Sequence, residues 1–138
     1  MRTAAHLVSR LGLAAGLSVL ACQHPVVKRL QGTWRGDGVE NVNREQLAEA
    51  TGWAKGTAME FSGSRVKILI PTHEPRAARY DVARVRGDRV LLALHDCRQC
   101  NGEPLRLILD QYHLLRWDIG DDRYVVMHKL EEQLPLGL

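Results

Sequence analysis

Serine is almost absent from the larger part of this 138-residue chain. Beyond residue 21 it occurs only as Ser62 and Ser64, both at one predicted hairpin turn. A serine nucleophile needs an oriented base beside it, and this placement offers none. Cysteine is also scarce, because Cys22 and the single motif at 97–100 account for all three. A closed zinc site needs four ligands, so no metal and no cofactor are expected, and an enzyme is the least favoured class.

Long apolar runs are missing as well. Residues 11–20 form an apolar run of ten, which is too short to span a bilayer but suits the central part of an export signal. Arg2 and Arg10 flank the short segment before it, and the run ends in Val19-Leu20-Ala21-Cys22. An aliphatic residue, a tolerant position, a small residue and a cysteine resemble the lipobox of bacterial lipoproteins. The resemblance implies a signal peptide over 1–21 and lipidation of Cys22.

Two other interpretations of the N-terminus stay open: an uncleaved membrane anchor, and an ordinary signal peptide beside an incidental Cys22. Gln23 follows the cysteine, where Asp would resemble an inner-membrane retention signal. The expected location is therefore the cell envelope, lipid-anchored at the periplasmic face of the outer membrane.

The chain is not strongly basic once the predicted signal peptide is removed. Cleavage before Cys22 takes away Arg2, Arg10 and no acid, so the formal net charge falls from +3 to +1. A near-neutral chain gives no argument for a nucleic-acid partner, because that binding depends on many basic contacts to phosphate. The expected partners are the membrane, through the N-terminal lipid, and either a small apolar ligand or an envelope protein.

Alternating apolar and polar residues dominate positions 56–129. Turn signals divide them into short runs, at 62–64, 86–88, 101–103 and 119–122. This pattern predicts an antiparallel meander, and with a strand at 30–37 the count is eight. The fold class is all-β, an up-and-down barrel without exposed edges. The predicted organisation is a lipidated tether at 22–30, the barrel domain at 31–130 and a tail at 131–138.

One short helix is predicted after the first strand, over residues 44–50. Asn43 and Gln46 have the spacing of a capping box, and Gly52 supplies a stop. Later in the chain, prolines make 71–75 a loop, and a change of parity between Val82 and Val85 predicts a β-bulge. In residues 124–129 both alternating sets are apolar enough to face inward, so the pattern does not choose between them.

The motif Gly32-Thr33-Trp34, followed by a short helix and a meander, resembles the lipocalin-like fold. The resemblance implies that Trp34 closes one end of the barrel and that a cationic residue of the last strand packs across it. Lys129 stands in the matching place.

A small apolar ligand would occupy a lumen formed by inward side chains. The candidate lumen residues are Met59, Phe61, Val82, Leu92, Leu107 and Trp117. The alternative function is a structural or interaction lipoprotein, with a solid barrel and a protein partner. The volume inside the barrel distinguishes the two.

Cys97 and Cys100 are expected to form a disulfide, because an exported chain reaches an oxidising compartment. The spacing also resembles one zinc knuckle, with His95 as the first extra ligand and His113, His128 or a partner completing the set. A redox dithiol lacks the βαβ context that such motifs have. Free thiols are the remaining alternative.

Overall fold

Eight antiparallel strands close into an up-and-down barrel in a computed structural model that describes residues 24–110 and 113–131. Cys22 and the predicted signal peptide lie outside the described residues, as does most of the predicted tail. The strands are β1 (Gly32–Glu40), β2 (Ala58–Ser62), β3 (Arg65–Leu69), β4 (Arg76–Arg86), β5 (Arg89–His95), β6 (Leu105–Leu109), β7 (Leu114–Gly120) and β8 (Arg123–Lys129). Strand β1 pairs with both β2 and β8, which closes the barrel and confirms the predicted fold class.

Alternation along each strand sets which side chains enter the core. In β3, Val66 and Ile68 are buried while Arg65 and Lys67 are exposed. In β8, Val125 and Met127 point inward and are fully buried. The sequence could not choose a face in β8, because Tyr124 and Val126 on the other side are apolar too.

Three irregularities interrupt the pairing of the strands. The pairing of β4 with β5 shifts between Val82 and Arg84, which confirms the predicted bulge. A second shift lies in β1, between Gly36 and Gly38, and a third lies in β7, between Asp118 and Gly120. A bulge increases local twist and bends its strand, which helps a sheet of this size to close.

The helix predicted at 44–50 exists but has different bounds. A 3-10 turn at Arg44–Gln46 leads into helix α2 (Leu47–Lys55). The Asn43 side chain makes no capping hydrogen bond, and Gly52 lies inside the helix instead of ending it. The helix continues because its last turn packs on the barrel, where Ala54 is fully buried. Tertiary packing therefore overrides the local stop signal.

Within the predicted tether at 22–30, residues 25–30 form a helix that the sequence analysis did not predict, α1 (Pro25–Leu30). Proline suits the first helical position, and His24 Nδ1 accepts a hydrogen bond from the Val26 amide at 3.1 Å. Val26 and Leu30 are both buried in the barrel core. Within the described residues, no helix has the length and apolar character needed to cross a membrane.

The topology gives the barrel two different ends. The N-terminal end carries α1, the turns at Gly63 and Gly87, and the connection from β6 to β7. The opposite end carries α2, the loops at 71–75 and 96–104, and the turn at 121–122. We call this second end the mouth of the barrel.

Candidate binding site at the barrel mouth

Trp34 lies under α1 at the N-terminal end of the barrel. Its side chain is 1% exposed, and its Nε1 donates a hydrogen bond to the Leu30 carbonyl at 2.8 Å. Gly32 in the same motif has φ of +118°, a conformation that favours glycine. In this motif, Gly32 therefore permits the backbone conformation, and Trp34 fills the end of the core.

Lys129 lies opposite Trp34 in the register of β1 and β8. Its Nζ is 5.2 Å from the centroid of the indole ring and donates a hydrogen bond to the Arg29 carbonyl at 3.0 Å. Burial lowers the pKa of Lys129. Strand, helix and indole thus meet around one cation, and they cover this end of the core.

A second group of contacts at the N-terminal end centres on Gln31. Its Nε2 donates to the Gly63 carbonyl and its Oε1 accepts from the Gly63 amide, which ties α1 to the turn between β2 and β3. Gln31 also contacts the hydroxyl of Tyr80, whose pKa is raised by burial. The hydroxyl in turn donates to the Gly63 carbonyl at 2.8 Å.

The middle of the barrel is filled by side chains. Four of the six residues predicted to line a lumen, Met59, Phe61, Leu92 and Leu107, are between 0% and 4% exposed and belong to the core cluster. Phe61 packs edge-on against Tyr80, with ring centroids 5.4 Å apart. Val82 is half-buried against the same cluster. These five residues stabilise the fold by packing against one another.

The sixth predicted residue, Trp117, lines a cavity at the mouth. This cavity has a volume of about 490 Å³ and lies between β7, the turn at 121–122, the loop at 96–104 and the start of β4. Its apolar wall consists of Ile68, Leu94, Leu105, Trp117 and Ile119. Its charged rim consists of Arg76, Arg106, Glu103, Asp118, Asp121 and Asp122. An apolar wall with a few charged groups around it is the usual form of a small-molecule site.

A neighbouring cavity of about 340 Å³ lies between α2 and the β7–β8 hairpin. Val39 and Trp53 line it, and it shares Ile119 with the larger cavity. Ile119 is 40% exposed and borders both cavities. The mouth thus combines two concave surfaces around one exposed apolar side chain.

The loop between β5 and β6 is held by a disulfide between Cys97 and Cys100, as predicted. Cys100 is buried and forms part of the wall of the larger cavity. Asn101 and Gly102 both have positive φ and turn the chain back towards β6. The disulfide therefore fixes one side of the mouth.

Two of the histidines suggested as extra zinc ligands, His95 and His128, contact aspartates instead of the cysteines. His95 Nε2 contacts Asp81 Oδ2 at 2.7 Å, and His128 Nδ1 contacts Asp37 Oδ2 at 2.9 Å. Over residues 24–110 and 113–131, no three His, Cys, Asp or Glu side chains are grouped in a way that could hold a metal ion.

Sequence reasoning missed most of the mouth. The predicted alternation over 56–129 includes Ile68, Leu94 and Leu105, but it did not place them at the same end of the barrel. The signal was available, because in an up-and-down barrel alternate connections share an end. Inward residues beside the loops at 71–75, 96–104 and 121–122 must therefore be neighbours. The alternation alone could not predict whether side chains fill the barrel at the mouth end.

Comparison with protein-family models, curated proteins and solved structures finds no match to this chain.

Proposed function

We propose that this chain is a lipid-anchored protein of the bacterial cell envelope whose barrel binds a small ligand with an apolar part at its mouth. The observation that carries the binding proposal is the cavity of about 490 Å³ with its apolar wall. The side chains below it are close-packed, so the ligand would sit at the mouth and not in a deep lumen. The charged rim would contact the polar part of the ligand.

The anchor is supported by the sequence around Cys22, and α1 indicates which end of the barrel it would hold. His24 and α1 lie at the N-terminal end of the barrel, opposite the mouth. A lipid on Cys22 would hold that end near the bilayer and leave the mouth facing the periplasm. One acyl chain binds a membrane only marginally, but the several chains of a bacterial lipoprotein hold it durably.

The anchor is tested by the Cys22→Ser variant of the full chain. We expect it to lose labelling by a radioactive or alkyne-tagged fatty acid and to leave the membrane fraction. Absence of label on the unaltered chain, with membrane retention unchanged in the variant, would refute the lipoprotein assignment. The binding proposal would survive that result, because it depends on the mouth alone.

The ligand site is tested with the fluorescent apolar probe N-phenyl-1-naphthylamine. We expect saturable binding and energy transfer to the probe from the two tryptophans that line the mouth cavities, Trp53 and Trp117. Ile119→Glu should weaken binding about tenfold or more, because a carboxylate replaces apolar surface where the probe must lie. Leu47→Glu is the matched control, since Leu47 is 47% exposed but lines neither mouth cavity. Equal effects of the two variants would refute a site at the mouth.

A second candidate function is that of an interaction protein with a solid barrel. The close packing of the buried core, which includes Trp34 and Leu92, favours it. Native mass spectrometry of the full chain from its own membranes separates the two functions. A small molecule that copurifies with the chain and is lost in Ile119→Glu would support ligand binding. A copurified protein without a small molecule would support the interaction role.

A further inference from the structure

Four arginines lie together on the outer wall of the barrel. Arg84, Arg86, Arg89 and Arg106 are all exposed, and we call them the arginine wall. The register brings them together in two neighbouring rows. Arg84 lies beside Leu91, which lies beside Arg106, and Arg86 lies directly opposite Arg89.

None of these four side chains has an ion pair or side-chain hydrogen bond within the part of the chain that the structure describes. Like charges directly opposite each other in a sheet are destabilising. Elsewhere such charge is compensated: Arg65 also faces Arg79, and Arg79 is paired with Asp96 at 2.7 Å. In the arginine wall, the repulsion between like charges is not offset by a paired acid in the part of the chain that the structure describes.

Arg116 shows the contrast on the same wall. It lies beside Ile108 in the register, yet it is bound by Glu40 and lies 3.7 Å from Asp110. The hydrogen bond that Arg116 donates to Glu40 raises the pKa of Arg116. Its charge is therefore already satisfied inside the protein, whereas the charges of the arginine wall remain available to a partner.

The arginine wall surrounds a groove of about 200 Å³. Leu91, Ile108 and Tyr124 supply half-buried apolar surface to it, and Asp118 is the one acidic residue among those that line it. The groove thus offers several guanidinium groups around an apolar floor. Guanidinium groups bind phosphate with paired hydrogen bonds.

The groove runs along the barrel from the β4–β5 turn at the N-terminal end towards the mouth, where Arg106, Asp118 and Tyr124 also line the larger cavity. The β4–β5 turn beside Arg86 and Arg89 lies at the N-terminal end, where α1 also exposes Lys28 and Arg29. We propose that the arginine wall docks on an anionic phospholipid surface, with lipid phosphates on the guanidinium groups and acyl or glycerol carbon against the apolar floor. This inference goes beyond the proposed anchor and does not depend on it.

The test uses the full chain made without acylation in a cell-free system. Its cosedimentation is compared between phosphatidylcholine vesicles and vesicles that also contain phosphatidylglycerol. Residues 1–21 are present in every sample, so their contribution is common to all. Selective binding to the anionic vesicles is expected, and added salt should abolish it because it screens charges at the surface.

The decisive variant is Arg84→Gln/Arg86→Gln/Arg89→Gln, because these three arginines line the groove but not the cavity at the mouth. Each basic side chain near an anionic surface contributes roughly fivefold to partitioning, so three predict a loss on the order of 100-fold. Arg44→Gln/Lys55→Gln/Arg98→Gln is the matched control. It removes the same charge from exposed residues at the mouth end, and it should retain binding within about threefold.

Circular dichroism checks that both variants fold, and removal of the opposed charges should leave the first at least as stable as the parent. Equal losses in the two variants would overturn the proposal, because binding would then follow net charge alone. Release from vesicles by inorganic phosphate, but not by chloride of equal ionic strength, would assign the groove to a soluble phosphate instead. Tighter binding to an acidic polypeptide than to vesicles would assign it to a protein.

Discussion

Truncation of Trp34 tests how the N-terminal end of the barrel is held. The indole is 1% exposed, its Nε1 hydrogen bonds to the Leu30 carbonyl, and Lys129 lies over the ring. Loss of a large buried aromatic side chain costs about 3–5 kcal/mol of unfolding free energy. The cation–π contact accounts for about 0.5–2 kcal/mol of this. For Trp34→Ala we therefore expect a loss of about 3–5 kcal/mol, equivalent to a fall in Tm of roughly 10–25 °C.

The measurement is equilibrium unfolding in urea followed by far-ultraviolet circular dichroism, since Trp53 and Trp117 would complicate fluorescence. Trp34→Phe keeps an aromatic ring but removes the donor to Leu30, so its loss should be smaller and include about 1 kcal/mol for the hydrogen bond. Trp53→Ala is the control, because Trp53 is only partly buried. A loss below about 1 kcal/mol for Trp34→Ala would refute the argument that this residue closes the barrel.

Two further predictions concern the mouth. A Cβ on Gly36 would lie 2.2 Å from the Ala54 carbonyl oxygen, so Gly36→Ala should displace α2 and lower the unfolding free energy by about 1–3 kcal/mol. Gly38→Ala, where a Cβ meets nothing within 4 Å, should change it by less than about 0.5 kcal/mol; similar losses in thermal unfolding would contradict the clash. The intact mass should be two hydrogen atoms below that of the dithiol, and Cys97→Ser/Cys100→Ser should fold with a loss of unfolding free energy of about 2 kcal/mol or less, because the bridged loop is short. Stoichiometric zinc, released by a chelator with loss of the fold, would contradict the disulfide.

The strands were predictable because their physical signal is local. Alternation in β3 places Val66 and Ile68 inside, and the turn residues around Gly63 and Gly87 fix where strands end. The same signal fails in β8, where Tyr124 and Val126 compete with Val125 and Met127. There the choice depends on which face meets the core, and that is a property of the whole barrel.

The helices were harder to predict because tertiary contacts decide their bounds. Gly52 is a local stop signal, yet α2 continues so that Ala54 can pack against β1. Pro25 to Leu30 is too short to predict as a helix, since two turns are not stable alone. It forms because Val26 and Leu30 enter the core and because Lys129 and Trp34 bond to its carbonyls. Those partners are far away in the sequence.

The candidate site was only partly predictable for the same reason. Trp117 was identified as an inward residue, and it does line the cavity. Four of the other predicted lumen residues are packed core and Val82 packs against it, because alternation indicates which side faces inward but not how far the packing extends. The volume left at the mouth depends on the loops around it, and their conformations rest on several residues with positive φ, such as Asn101 and Asp121.

Helix α1 also limits how far the barrel could move from a lipid anchor on Cys22. Helix α1 is bonded to the barrel through Leu30 and Gln31. It therefore cannot unwind into an extended segment without breaking these hydrogen bonds at the N-terminal end. If Cys22 carries the lipid, three residue steps separate it from Pro25, and a chain of that length spans about 10 Å at most. A barrel anchored in this way would stay beside its own membrane. Its binding partners would then have to come to that membrane surface, either by diffusion or on an extended part of the partner.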